Sequence, residues 1–61
     1  MKFKLEFDCD SEAFGEDETD RQIGICNILD DVMERINFKG EESGTIRDVN
    51  GNRIGHYALL G

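Results

Sequence analysis

Residues 2–9 alternate between apolar and polar without a break. Phe3, Leu5, Phe7 and Cys9 fall on one side, and Lys2, Lys4, Glu6 and Asp8 on the other. A period of two is the mark of a strand with one buried face. Residues 10–18 lose that period. They are polar and acidic, interrupted by Ala13, Phe14 and Gly15, and read as a loop whose one apolar anchor is Phe14, packed under the start of the following helix.

From Thr19 the period changes to that of a helix. Thr19-Asp20-Arg21-Gln22 fits a capping box, with Thr19 as N-cap and Gln22 reaching back. The spacing predicts a helix from about Asp20 to Phe38. At 100° per residue, Ile25, Ile28, Leu29, Val32 and Ile36 share one stripe, with Cys26 and Met33 at its edge. Asn27, Asp30, Asp31 and Glu34 lie opposite, and Asp31 is placed to pair with Arg35 one turn on. Gly40 is a suitable C-terminal stop. Gly24 sits inside this helix, where glycine costs up to about 1 kcal/mol relative to alanine; nothing in its sequence neighbourhood explains it.

Glu41-Glu42-Ser43-Gly44 reads as a linker, followed by strands at about Thr45–Val49 and Arg53–Leu60 around Asn50-Gly51-Asn52. Asn-Gly is a strong hairpin signal when both residues take positive φ. The fold class is therefore α+β: a single domain over residues 1–61 of order β-α-β-β, with a three-stranded antiparallel sheet and one amphipathic helix packed on one face. The expected core is Phe3, Leu5, Phe7, Ile25, Ile28, Leu29, Val32, Ile36 and Ile46. The hairpin alternates imperfectly. Ile46, Tyr57 and Leu59 share a face, whereas Val49 and Ile54 fall on the other face in a regular register. Either a bulge reunites them, or the sheet face away from the helix carries an apolar patch. Homodimerisation through the face or edge of the hairpin would use Val49, Ile54 and Tyr57 as candidate contacts.

Charge sharpens the picture. The formal net charge is −7, and it sits in one place. Asp8, Asp10, Glu12, Glu16, Asp17, Glu18 and Asp20 fall within thirteen residues that contain no base; the other 48 residues carry seven acids and seven bases. A concentrated field steers a basic partner, whereas evenly spread charge mainly aids solubility. The candidate partner-binding residues are Asp10, Glu12, Glu16, Asp17 and Glu18. The bland alternative is a hydrated helix entry, since acids in a first turn stabilise a helix.

Other chemistries fit poorly. Asp8-Cys9-Asp10-Ser11-Glu12 opens like a calcium loop, but the pattern then needs Gly and Glu where this chain has Ala13 and Thr19. One histidine and two distant cysteines do not make a zinc set. Ser11 and Ser43 lie in no nucleophile-elbow sequence, and His56 reads as a solvent-facing strand side chain. Neither a catalytic residue nor a cofactor is expected. A pI near 4.4 with scattered bases argues against direct nucleic-acid binding. The longest apolar run, Tyr57-Ala58-Leu59-Leu60, is far short of the roughly 20 residues that span a bilayer, and the alternating N-terminus lacks the continuous apolar stretch of a secretion signal. Cys9 and Cys26 read as buried free thiols, which points to a reducing cytoplasm.

The segment Gly44-Thr45-Ile46-Arg47-Asp48-Val49-Asn50-Gly51-Asn52-Arg53-Ile54-Gly55-His56-Tyr57 resembles the C-terminal hairpin of very small uncharacterised bacteriophage and prophage proteins. Those chains also open with a strand like Met1-Lys2-Phe3-Lys4-Leu5-Glu6-Phe7, then an acidic loop and one helix. The shared motifs are structural and transfer no functional residue. What the resemblance implies is a phage-type accessory protein in the cytoplasm of an infected or lysogenic bacterium. Its partner would be a host protein with a basic surface, and its sharpest form an anti-CRISPR-like inhibitor. The alternative is a small homodimeric assembly module that uses its sheet face.

Overall fold

The computed structural model describes all residues 1–61. The chain runs β1 (Lys2–Phe7), a single 3-10 turn (Glu12–Phe14), α1 (Glu18–Lys39), β2 (Ser43–Arg47) and β3 (Arg53–Leu60). The sheet is antiparallel with order β1-β3-β2, so β3 is central and both other strands are edges. This is the β-α-β-β order read from the sequence, with one helix over one face.

Register explains which side chains meet. Leu5 and Gly44 lie opposite Tyr57 on its two flanks, and Phe7 and Ile46 lie opposite Gly55. These residues share the helix face. Val32 of α1 closes on Ile46 and Tyr57, with Leu5, Phe7, Ile28, Ile36 and Ile54 packed around them. Phe14 is the remaining buried apolar side chain. Two expected core members are only half covered: Phe3 is 47% exposed and Leu29 44%. Phe3 stands on the free-edge strand, where no further strand shelters it. Leu29 lies roughly 60° around the helix from Val32. Truncating Leu29 therefore costs less than the several kcal/mol of a fully buried leucine.

The helix starts earlier than its capping-box pattern suggests. Asp17, not Thr19, is the N-cap; its side chain accepts the Asp20 N–H at 2.8 Å, and the Asp17 carbonyl accepts the Arg21 N–H. Both residue types cap well, but aspartate adds a negative charge at the positive end of the helix dipole. Gly40 ends the helix in the left-handed conformation.

The hairpin resolves through a bulge. The register shifts between Ile46 and Arg47, so Ile54 is an extra residue in β3 and packs against the core instead of facing outward. Val49 does not follow it. β2 ends at Arg47, and Val49 is 83% exposed at the tip of the turn. The turn is also one step earlier than the Asn-Gly signal implies. Gly51 donates to the Asp48 carbonyl, and no non-glycine residue has positive φ. Asp48 at the first turn position and Gly51 at the last is the pattern of the common β-turn. The outer sheet face carries Lys2, Lys4 and Glu6 of β1, Ser43 and Thr45 of β2, and His56, Ala58 and Leu60 of β3. It is mostly polar, so the apolar patch expected of an unbulged hairpin is not there.

Gly24 has a tertiary explanation. A Cβ on Gly24 would stand 2.7 Å from Cδ1 of Phe14. Phe14 also stacks on Phe7 with ring centroids 6.4 Å apart. The missing side chain lets the loop anchor lie against α1. Gly24→Ala in an ordinary helix gains up to about 1 kcal/mol. Here it should lower the melting temperature, because Phe14 must leave its buried position. A stabilised Gly24→Ala variant in thermal unfolding would contradict this packing.

Candidate functional site

The acidic segment is a small lobe held in one shape from within. Phe14 is buried between Phe7 and Gly24, while Asp10, Glu12, Glu16, Asp17 and Glu18 are all exposed. The five candidate partner-binding residues therefore share one end of the molecule, around the 3-10 turn and the start of α1. Their roles differ. Asp17 is occupied as the helix cap, whereas the side chains of Asp10, Glu12, Glu16 and Glu18 make no hydrogen bond or ion pair.

Asp48, which the sequence reading did not single out, ties this lobe to the hairpin. Its Oδ1 accepts the N–H groups of Asn50 and Asn52 at 3.0 and 2.9 Å, and its Oδ2 accepts the Ser11 hydroxyl at 3.2 Å. Asp at the first position of a turn is a recognised signal for such side-chain-to-backbone bonds; the Ser11 contact, across 37 positions, has no local signature. Desolvation pushes the Asp48 carboxyl up. The backbone bonds from Asn52 and Asn50, with the side-chain bonds from Ser11 and Asn52, outweigh it and hold the pKa below its ordinary value. A depressed folded-state pKa contributes stability that is present above the unfolded value of about 3.9 and is lost as pH falls through the folded value. Asp48→Asn should thus be less stable than wild type at neutral pH, and its stability should decline less steeply below about pH 4. Parallel acid-unfolding curves for the two proteins, followed by circular dichroism, would refute this role.

On the other flank, Arg35 ties α1 to β2 and β3. Its Nη1 donates to the Thr45 carbonyl at 2.8 Å, its Nη2 pairs with Asp31 at 2.9 Å, and its guanidinium lies 5.6 Å from the Tyr57 ring centre. The Asp31–Arg35 pair is the one expected from helical spacing. Burial lowers the Arg35 pKa, but its bond to Asp31 and that carboxylate's charge raise it further, so the net direction is up. Arg35 is a structural tie.

The candidate dimer residues do not form one surface. Tyr57 is 1% exposed and donates its hydroxyl to the Glu41 carbonyl at 2.8 Å; Ile54 is half-buried against the core; Val49 stands alone at the turn. The thiols also differ from expectation: Cys26 is exposed at the edge of the helix stripe and Cys9 is half-buried, and both are free. His56 is exposed opposite Glu6 on the outer sheet face. No group of three or more His, Cys, Asp or Glu side chains is arranged to hold a metal ion. The groove between the 3-10 turn, α1 and the hairpin, which Phe14, Ile28, Asp31 and Asp48 help line, has a volume of about 190 Å³. No helix is long and apolar enough to cross a membrane.

By fold the chain is a small α+β domain, one helix on a three-stranded antiparallel sheet, with an acidic lobe at the helix entry. No protein-family model, curated protein or solved structure matches it.

Proposed function

We propose that this is a non-enzymatic, phage-type accessory protein that acts by binding a basic surface of a host protein. Its sharpest form is an inhibitor of a nucleic-acid-processing defence system, anti-CRISPR-like, working in the bacterial cytoplasm. The observation that carries the reading is the acidic lobe. Asp10, Glu12 and Glu16, on a loop anchored by Phe14 and tied by Ser11 to Asp48, and Glu18 at the start of α1 are exposed and unpaired. A loop backbone held by Phe14 and Ser11 presents its carboxylates to a partner without first having to fold, which lowers the entropic cost of association. Proteins that handle nucleic acid carry basic channels in which such an array would be attracted.

The test replaces Asp10, Glu12, Glu16 and Glu18 by their amides. Asp17 stays, because it caps the helix. Wild type and variant serve as baits in bacterial lysates at low and high salt, and association with each recovered partner is timed. The variant should fold normally and associate on the order of ten-fold more slowly at low salt. That difference should shrink as salt screens the charges. Equal rates for the two proteins at low salt would reduce the lobe to a hydrated helix entry.

A further inference from the structure

β1 is complementary to itself. About Leu5, Phe3 mirrors Phe7, Lys4 mirrors Glu6 and Lys2 mirrors Asp8. Reversing the strand thus keeps every apolar position apolar and exchanges the sign of every charged one.

The backbone of β1 is oriented to use this. The strand is an edge, paired only with β3. The Asp8 N–H donates to the Ile54 carbonyl of β3. Strand alternation then sends the backbone groups of Lys4 and Glu6 toward β3 as well, and those of Phe3, Leu5 and Phe7 toward the free edge. We propose that β1 pairs antiparallel with β1 of a second copy of this chain, about a twofold axis at Leu5, joining the two sheets into one.

Three independent features meet in that register. Leu5 lies opposite Leu5 of the second copy and Phe3 opposite its Phe7; these are the residues whose N–H and C=O groups face outward. Lys4 then lies opposite Glu6 and Lys2 opposite Asp8, in the closer, non-hydrogen-bonded pairs where side chains interact most. Lysines on an edge strand usually repel a second strand; here each meets a carboxylate. The third feature is apolar surface. Arg35 bonds to Thr45 of β2, so that flank of α1 is turned to β2. Leu29 and Met33 lie on the opposite flank of the Val32 line, the one turned away from β2. They are 44% and 62% exposed, and Phe3 of β1 is 47% exposed. An in-sheet pairing places both helices on the same side, and these flanks then face each other over the new strand pair. Because Asp10, Glu12, Glu16, Asp17 and Glu18 play no part, this inference stands apart from the proposed function.

Sedimentation equilibrium over a wide concentration range tests it, with circular dichroism to confirm folding. Wild type should dimerise reversibly. Lys4→Glu or Glu6→Lys alone sets like charges opposite one another twice, by symmetry, and should weaken the dimer by roughly ten- to a hundred-fold. An equimolar mixture of the two variants restores opposite charges at all these positions and should form a one-to-one heterodimer. The double variant Lys4→Glu/Glu6→Lys should again form a homodimer. Wild type that stays monomeric at the highest concentration overturns the proposal. So does a dimer indifferent to both single reversals, or a mixture that associates no better than its components.

Discussion

Tyr57→Ala should leave little folded protein at room temperature. Tyr57 fills the centre of the core against Val32 and Ile46, with the Phe3 ring 6.1 Å away and Arg35 over its face. Removing a buried aromatic side chain costs about 3–5 kcal/mol. At about 0.05–0.15 kcal/mol per residue, a domain of this length has only roughly 3–9 kcal/mol of stability. Tyr57→Phe separates packing from hydrogen bonding. It keeps the ring and loses the bond to the Glu41 carbonyl, so about 1 kcal/mol is expected. Tyr57 is the only tyrosine and there is no tryptophan, so far-UV circular dichroism in urea is the appropriate probe. A cooperative, native-like transition for Tyr57→Ala would refute the assignment of Tyr57 to the core centre.

Gly55→Ala should be nearly as damaging, although alanine is at least as good a strand residue as glycine. A Cβ at Gly55 would run into the Glu6 carbonyl oxygen and the Cα and Cβ of Phe7 on the neighbouring strand. Those are mainly backbone atoms, which cannot swing aside as a long side chain can. β1 would have to lift from β3 next to the bulge, weakening the bond between the Asp8 N–H and the Ile54 carbonyl. Overpacking in a core costs typically about 1–3 kcal/mol and sometimes more; the upper end is expected here, and Gly55→Val should be worse. Gly61→Ala, with open space around it, is the control and should be neutral. Hydrogen exchange should quicken first in the β1 amides. Wild-type stability in Gly55→Ala would contradict the β1–β3 register.

The sequence by itself determined the elements, their order and most of their faces. A period of two over residues 2–9 and of 3.6 across Ile25, Ile28, Val32 and Ile36 needs only local geometry to sort inward from outward. The acidic concentration was likewise legible, and so were the Phe14 anchor and the Asp31–Arg35 pair. Cap and turn were legible only as competing signals. Thr19 and Asp17 both suit an N-cap, and Asp48 and Asn50-Gly51 both suit a turn. The turn forms where Asp48 also accepts the Ser11 hydroxyl, a bond that local sequence does not specify. Only the tertiary structure decided the rest. The bulge that brings Ile54 inward, the exposure of Phe3 and Leu29, and the burial of Tyr57 depend on which strand lies beside which and where the helix axis runs. The reasons for Gly24 and Gly55 are atoms of Phe14, Glu6 and Phe7, distant in sequence. Close approach of that kind leaves no periodic trace, because it is a property of two segments together and not of either alone.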